Sequence, residues 1–220
     1  MHKYRIMRKI TLTISLLFLS FWAVAQQGFS IGLHLSPIIS YGSVLNAQKN
    51  KVDGLDLKTR LGLSYGLIFN YGFTDNYAFH SGVHIVSKGF RAKQGATDPL
   101  LYRVTAVEVP LGIKLRSNEI AEGLHVKGLF GASLDINVSH QAEVLGTGNQ
   151  VTTTRETNRI NPLGFTFIFG PGLDIVTDFG TFTLGVIYHQ GLVNVNNKNK
   201  SGDPNTIRLN YVSLDLGYIF

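Results

Sequence analysis

The side chains best suited to chemistry in this chain are ionisable groups that alternate with apolar residues along extended segments. Alternation with a period of two is typical of β-strands and places the ionisable groups together on one face of a sheet. We expect this face to form an interior polar network. Its twelve members are His34, His80, His84, Lys88, Glu108, Lys114, His125, Lys127, Asp135, Asp174, His189 and Asp215.

The spacing of these groups argues against a metal or catalytic centre. On a helix His80 and His84 would share an ion, but on a strand they lie ~13 Å apart at ~3.3 Å per residue. No pattern orders one of the many Ser residues with a His and a carboxylate. We therefore predict no catalytic residue, no metal and no cofactor. Two interpretations of the polar face remain, a filled interior of paired charges and a narrow polar conduit gated by exchangeable ion pairs.

The elements that must position these groups are eight strands. The pattern is clearest in Leu61–Phe79, which covers one strand, a short turn and the start of the next strand. Leu61, Leu63, Tyr65 and Leu67 alternate there with small or polar residues. The same period defines strands at about 28–41, 61–73, 77–90, 102–116, 124–140, 162–176, 181–190 and 206–220. Long polar loops are predicted at 42–60, 91–101, 141–161 and 194–205, and short turns at 74–76, 117–123 and 177–180. Alternating long and short connections are typical of an up-and-down antiparallel barrel that crosses an outer membrane.

A soluble lipocalin-like barrel also buries one face of eight strands, but there the apolar face points inward. The interior of an eight-stranded barrel is only wide enough for side chains to fill it. Here the apolar faces carry bulky residues, whereas the opposite faces carry glycines, which favours a membrane barrel with the bulky residues in lipid. The aromatic residues that would gather at its short-turn rim are Phe73, Tyr77, Phe79, Phe179, Phe182, Tyr218 and Phe220.

Residues 1–25 are predicted to be a cleaved signal peptide, which leaves 26–220 as one barrel domain. A positive start precedes the apolar run Ile10–Trp22, and Ala23 and Ala25 form a small-x-small cleavage site. Removing its four Lys and Arg residues leaves 16 basic and 14 acidic residues, a net charge of +2 without a nucleic-acid-binding footprint. No Cys is present to carry a lipoprotein anchor.

Val107–Lys114, with the sequence VEVPLGIK, and the terminal Gly217–Phe220 resemble the PorT-type outer-membrane barrels of Bacteroidetes. The resemblance covers Gln26–Phe220 and implies an outer-membrane location. It also implies that Tyr218 and Phe220 belong to the signal read by the barrel-assembly machinery. The resemblance to PorT itself implies an accessory role in a secretion or gliding apparatus.

Our functional expectation is a monomeric outer-membrane barrel with a structural or interaction role in the cell envelope, exerted through its surface loops. The expected partners are outer-membrane lipid, lipopolysaccharide and an envelope or secretion-machine protein. The loop cations suited to lipopolysaccharide phosphates are Lys49, Lys51, Arg91, Lys93, Arg155, Lys198 and Lys200. The remaining alternatives are the secretion or gliding role, an outer-membrane lipid-modifying enzyme and a soluble lipocalin-like binder.

Overall fold

The computed structural model describes residues 28–94, 100–145, 151–155, 160–197 and 204–220. The predicted signal peptide with Ala23 and Ala25 lies outside these residues. The described chain forms ten β-strands: β1 (Phe29–Leu45), β2 (Leu55–Lys58), β3 (Arg60–Gly72), β4 (Tyr77–Gln94), β5 (Leu100–Arg116), β6 (Leu124–Leu145), β7 (Val151–Arg155), β8 (Leu163–Thr177), β9 (Gly180–Gly191) and β10 (Thr206–Ile219). Within this part of the chain there is no helix that is long and apolar enough to cross a membrane.

The eight long strands form a closed antiparallel barrel, which confirms the predicted fold. They pair in the order β3, β1, β10, β9, β8, β6, β5 and β4, and β4 pairs with β3 to complete the circle. The short connections all lie at one end of the barrel, which we call the short-turn end. The other, the long-loop end, holds the longer connections.

Alternating burial along the strands confirms the predicted faces. Leu33 and Leu35 are each 52% exposed, whereas His34 between them is 8% exposed. Exposed apolar side chains continue this outer surface around the barrel, including Leu67, Leu111, Phe165 and Leu214. A continuous apolar exterior around a polar interior is the arrangement of a barrel in lipid. The closed sheet also suits lipid, because it pairs the backbone groups of neighbouring strands.

The predicted aromatic rim also forms at the short-turn end. The rings of Phe73 and Tyr77 stack with centroids 6.3 Å apart. Tyr218 contacts Phe182 at 4.9 Å and Phe220 at 5.1 Å between ring centroids. Interfacial aromatic residues of this kind mark the edge of the hydrocarbon layer.

Three of the predicted loops, 42–60, 91–101 and 141–161, are wrong in part, because strands continue into them. β2 lies inside 42–60 and β7 inside 141–161, while β1, β4, β5 and β6 extend beyond their predicted bounds. β2 pairs with the end of β4, and β7 with the end of β6. These segments are too short for alternation to stand out in the sequence. Together, residues 55–58, 88–94, 100–105, 139–145 and 151–155 form a five-stranded wall above the apolar exterior, which we call the raised sheet.

The expectation that bulky residues lie outside is wrong at the long-loop end. Phe90, Ala92, Tyr102, Val104 and Leu209 point inward and form a buried apolar cluster with Ile160 and Val195. The rings of Phe90 and Tyr102 stack with centroids 5.0 Å apart. Gly42 makes room for Phe90, since a Cβ on Gly42 would lie 2.4 Å from that ring. We call this group the apolar plug.

The apolar exterior predicts the cost of placing a charge on it. Leu67 is 40% exposed near the middle of the outer apolar face. If that face lies in lipid, Leu67→Arg is expected to destabilise the barrel by about 2–4 kcal/mol. The measurement is the free energy of unfolding in lipid vesicles, followed by the heat-dependent shift in gel mobility.

Ile120→Arg is the matched control, because Ile120 is 58% exposed in a short turn outside the apolar face. This variant should unfold with nearly unchanged free energy. Equal effects of the two substitutions would contradict a lipid-facing exterior.

Candidate functional site: the charged interior

The centre of the barrel holds a buried cation between two carboxylates. Lys88 Nζ donates to Glu108 Oε1 at 2.7 Å and to Asp135 Oδ2 at 2.9 Å. All three residues are at most 3% exposed. β4, β5 and β6 are neighbours, so the closed sheet brings together residues up to 47 positions apart. We call Lys88, Glu108 and Asp135 the central triad.

Neutral hydroxyls complete the central triad. Tyr211 Oη donates to Glu108 Oε2 at 2.6 Å, and Thr166 Oγ1 donates to Asp135 Oδ2 at 2.7 Å. The ring of Tyr211 stacks on His189, with centroids 3.9 Å apart. Sequence reasoning missed Tyr211 and Thr166 because it considered only ionisable groups other than Tyr, although both lie on the inward positions of their strands. Their hydrogen bonds to the carboxylates lower the cost of burying these charges.

A second cluster surrounds Asp215, nearer the short-turn end. Asp215 Oδ1 pairs with His34 Nδ1 at 3.0 Å, and Asp215 Oδ2 accepts from Lys127 Nζ at 3.2 Å. Lys127 also donates to Thr183, and the ring of His34 stacks on His84 at 4.0 Å between centroids. Gly172 leaves space for Lys127, since a Cβ there would lie 2.5 Å from Lys127 Cε.

The predicted network is therefore divided into separate layers along the barrel axis. Lys114 and Asp174 form an ion pair at 2.5 Å at the short-turn end. His80 Nδ1 donates a hydrogen bond to Asn70 Oδ1 at 2.8 Å. His125 contacts the Ser117 carbonyl at 3.0 Å, apart from the three ionic clusters. Of the twelve predicted residues, nine lie in these clusters and His189 contacts the central triad through Tyr211.

The layers leave little open space between them. A gap beside His34, His84 and Tyr211 has a volume of about 20 Å³. Another gap beside His80 and Lys127 has a volume of about 10 Å³. Each gap has room for about one water molecule. The mouth at the short-turn end is wider, about 210 Å³, and its lining includes Lys114 and Asp174.

The chemistry of these clusters is charge neutralisation. The inward side chains of the three ionic clusters provide three lysines and four carboxylates. In the part of the chain that the structure describes, no group of three or more His, Cys, Asp or Glu side chains is arranged to hold a metal ion. The arrangement is typical of a barrel filled by its own side chains.

A family profile described as "Outer membrane protein beta-barrel domain" matches residues 24–197. The comparison with curated protein sequences found no match. Among solved structures, OprG from Pseudomonas aeruginosa is 10% identical, with a TM-score of 0.49 over 87% of this chain and 96% of that one. Neisserial surface protein A is 12% identical, with a TM-score of 0.44 over 87% of this chain and 96% of that one. Ail from Yersinia pestis is 16% identical, with a TM-score of 0.39 over 87% of this chain and 99% of that one.

The central triad predicts a large effect of removing its cation. Lys88→Met would leave Glu108 and Asp135 buried without their shared partner, which is expected to cost about 3–5 kcal/mol of unfolding free energy. The measurement is equilibrium unfolding of the refolded protein in vesicles. As a control, Lys58→Met removes a 71% exposed cation that lies 3.7 Å from Asp56, and it should cost less than about 1 kcal/mol.

A compensated variant separates charge from packing. The triple substitution Lys88→Met, Glu108→Gln and Asp135→Asn removes all three charges while it nearly keeps their volumes. It should recover at least half of the stability lost in Lys88→Met. A triple variant as unstable as Lys88→Met would show that charge pairing is not what stabilises the interior.

Proposed function

Because the chain belongs to the outer membrane protein beta-barrel domain family, we propose that it is a non-conducting envelope protein whose raised sheet binds a partner outside the membrane. The filled interior is the observation that carries this proposal. Ion pairs and the apolar plug occupy the path along the axis, so the barrel serves as an anchor. In this family architecture the short turns face the periplasm and the longer connections face outward.

The raised sheet supports a role in binding because it is a structured surface beyond the apolar exterior. Its five segments are joined by continuous backbone pairing from β2 through β4, β5 and β6 to β7. The apolar plug packs behind it, with Phe90 and Tyr102 buried against Leu209. A rigid scaffold that presents a polar surface is a common basis for recognition.

The finer alternatives have less support from the geometry. The resemblance to PorT-type barrels points to an accessory role in a secretion or gliding apparatus, which remains a proposal from sequence alone. A lipid-modifying enzyme would need a nucleophile or base positioned near the outer edge. The inward His and carboxylate groups described above instead contact one another, lysines, hydroxyls or amide groups inside the barrel.

A filled interior predicts that the protein does not conduct ions. The purified protein in planar lipid bilayers should give no stable conductance steps, because the central triad and the apolar plug block the axis. The shift in gel mobility on heating shows in parallel that the inserted protein is folded. Reproducible steps of a single size from folded protein would contradict the filled interior and favour the polar conduit.

The position of the proposed binding surface predicts where a partner can be crosslinked in cells. A photoreactive residue at Lys93, exposed on the raised sheet, should give a defined protein adduct. The same residue at Asp75, exposed in a short turn, is the matched control and should give none beyond the barrel-assembly machinery. Adducts at position 75 alone would overturn the proposal and indicate a periplasmic partner.

A further inference from the structure

Five cations lie together where the outer surface of the raised sheet meets the apolar exterior. Backbone pairing sets Lys58 opposite Arg91 and Gly89 opposite Arg103, while Lys93 follows two residues after Arg91 on the same face. The guanidinium of Arg60 reaches Ser87, on the same outer face of β4. We call Lys58, Arg60, Arg91, Lys93 and Arg103 the rim patch.

The rim patch is costly for the protein alone. Like charges on directly opposed strand positions destabilise a sheet, and Lys58 opposes Arg91. Arg60 interacts electrostatically with both Arg91 and Arg103, with Glu143 as the attractive neighbour. Asp56, opposite Lys93, and Glu143 offset only part of the charge of five cations, so the rim patch keeps an excess of positive charge that an anionic ligand would balance.

Four of the five rim-patch cations have no carboxylate partner among the described residues. Lys58 has a carboxylate at 3.7 Å, in an exposed pair with Asp56. For the other four, no carboxylate of the described residues lies within 4.0 Å. Arg103 Nε is buried and has no hydrogen-bond partner among the described residues. A guanidinium left with free donors is suited to the oxygens of a phosphate group.

The height of the rim patch fits a lipid headgroup. On β3 the last apolar side chain toward the long-loop end is Leu61, which is 76% exposed. Arg60 is the next residue in that direction. Arg103 lies four residues from Val107 on β5, a distance of ~13 Å along the strand. Strand tilt of ~40° reduces this distance to ~10 Å along the membrane normal. Long cationic side chains can reach from there to the interface.

The charge is local to this wall. At a similar height on β9 and β10, the outer surface carries Gln190 and Asn210, with Arg208 above them. The short turns at the opposite end carry the acidic residues Asp75, Glu119, Glu122 and Asp178. A general basic surface would not show this contrast between the walls and ends.

We propose that the rim patch binds the phosphate groups of a phosphorylated glycolipid in the outer leaflet. Arg60 and Arg103 hold the phosphate nearest the hydrocarbon, and Lys58, Arg91 and Lys93 contact anionic groups further out. The acyl chains of the lipid lie against the apolar exterior below, around Leu63, Ile85 and Val107. A lipid is favoured over a soluble sulfated polysaccharide because that apolar surface continues directly from the cations. The inference depends on the barrel's membrane orientation and is independent of any protein partner.

The test compares binding of bisphosphorylated lipid A with binding of the same lipid after its phosphates are removed. The refolded protein in phosphatidylcholine nanodiscs is titrated with each lipid, and bound lipid is counted by native mass spectrometry. The native protein should bind the phosphorylated lipid at least tenfold more tightly, with a preference that weakens as salt is added. Arg60→Gln with Arg103→Gln should lose most of this preference.

The matched control is Lys51→Gln with Arg208→Gln, which removes the same charge from exposed positions outside the rim patch. It should keep the native preference. A second test variant, Arg91→Gln with Lys93→Gln, alters exposed side chains and should weaken binding at least threefold even if the first variant does not refold.

Three results would overturn the inference. The first is equal affinity of the native protein for the two lipids, and the second is an equal loss in the control and test variants. The third is a preference for a heparin-like polysaccharide over lipid A that depends on the same arginines. Each result is separable from the crosslinking outcome at Lys93, since that experiment detects protein adducts.

Discussion

The structure depends on the closure of eight paired strands into a circle. A strand edge in hydrocarbon would leave backbone N–H and C=O groups without partners, so β4 must pair with β5 as well as with β3. Closure with eight strands leaves an interior that side chains fill. The inward residues must therefore satisfy one another, because neither lipid nor bulk water reaches most of them. The central triad follows from this constraint, as Lys88 compensates two carboxylates on adjacent strands.

The interior changes in character along the axis. Ion pairs and imidazole contacts fill it from the short-turn end to the central triad, and the apolar plug fills it beyond. Tyr211 connects the central triad to a small apolar cluster that is separate from the plug, because its hydroxyl bonds to Glu108 while its ring packs with Ile38 and Val86. The polar layers fix specific geometries through directed hydrogen bonds. The plug instead supports the raised sheet, which stands above the membrane and needs a packed core of its own.

Alternation in the sequence was sufficient to predict the barrel and the inward position of residues such as His34, Lys88 and Glu108. A period of two assigns faces reliably when one face is bulky and apolar. The same reasoning failed for Phe90 and Tyr102, because residue size indicated the exterior although their strand positions indicated the interior. It could not predict that Lys88 contacts Asp135 or that Lys127 contacts Asp215. These contacts depend on the register of the paired strands, which sets the position of each residue along the barrel axis. β2 was missed because four residues give too little pattern, and its pairing with β4 is a tertiary contact.

The distribution of charge indicates where this barrel can interact. Inside, carboxylates accompany each lysine of the ionic clusters, so the interior has little unsatisfied charge to offer a solute. On the outer wall, Arg60, Arg91 and Arg103 lie within mutual electrostatic reach, with Glu143 as a neighbouring carboxylate. A barrel that neutralises its buried charges but concentrates cations at one rim directs its binding capacity outward. The interior chemistry thus stabilises the scaffold, and recognition is left to the raised sheet and the lipid boundary beneath it.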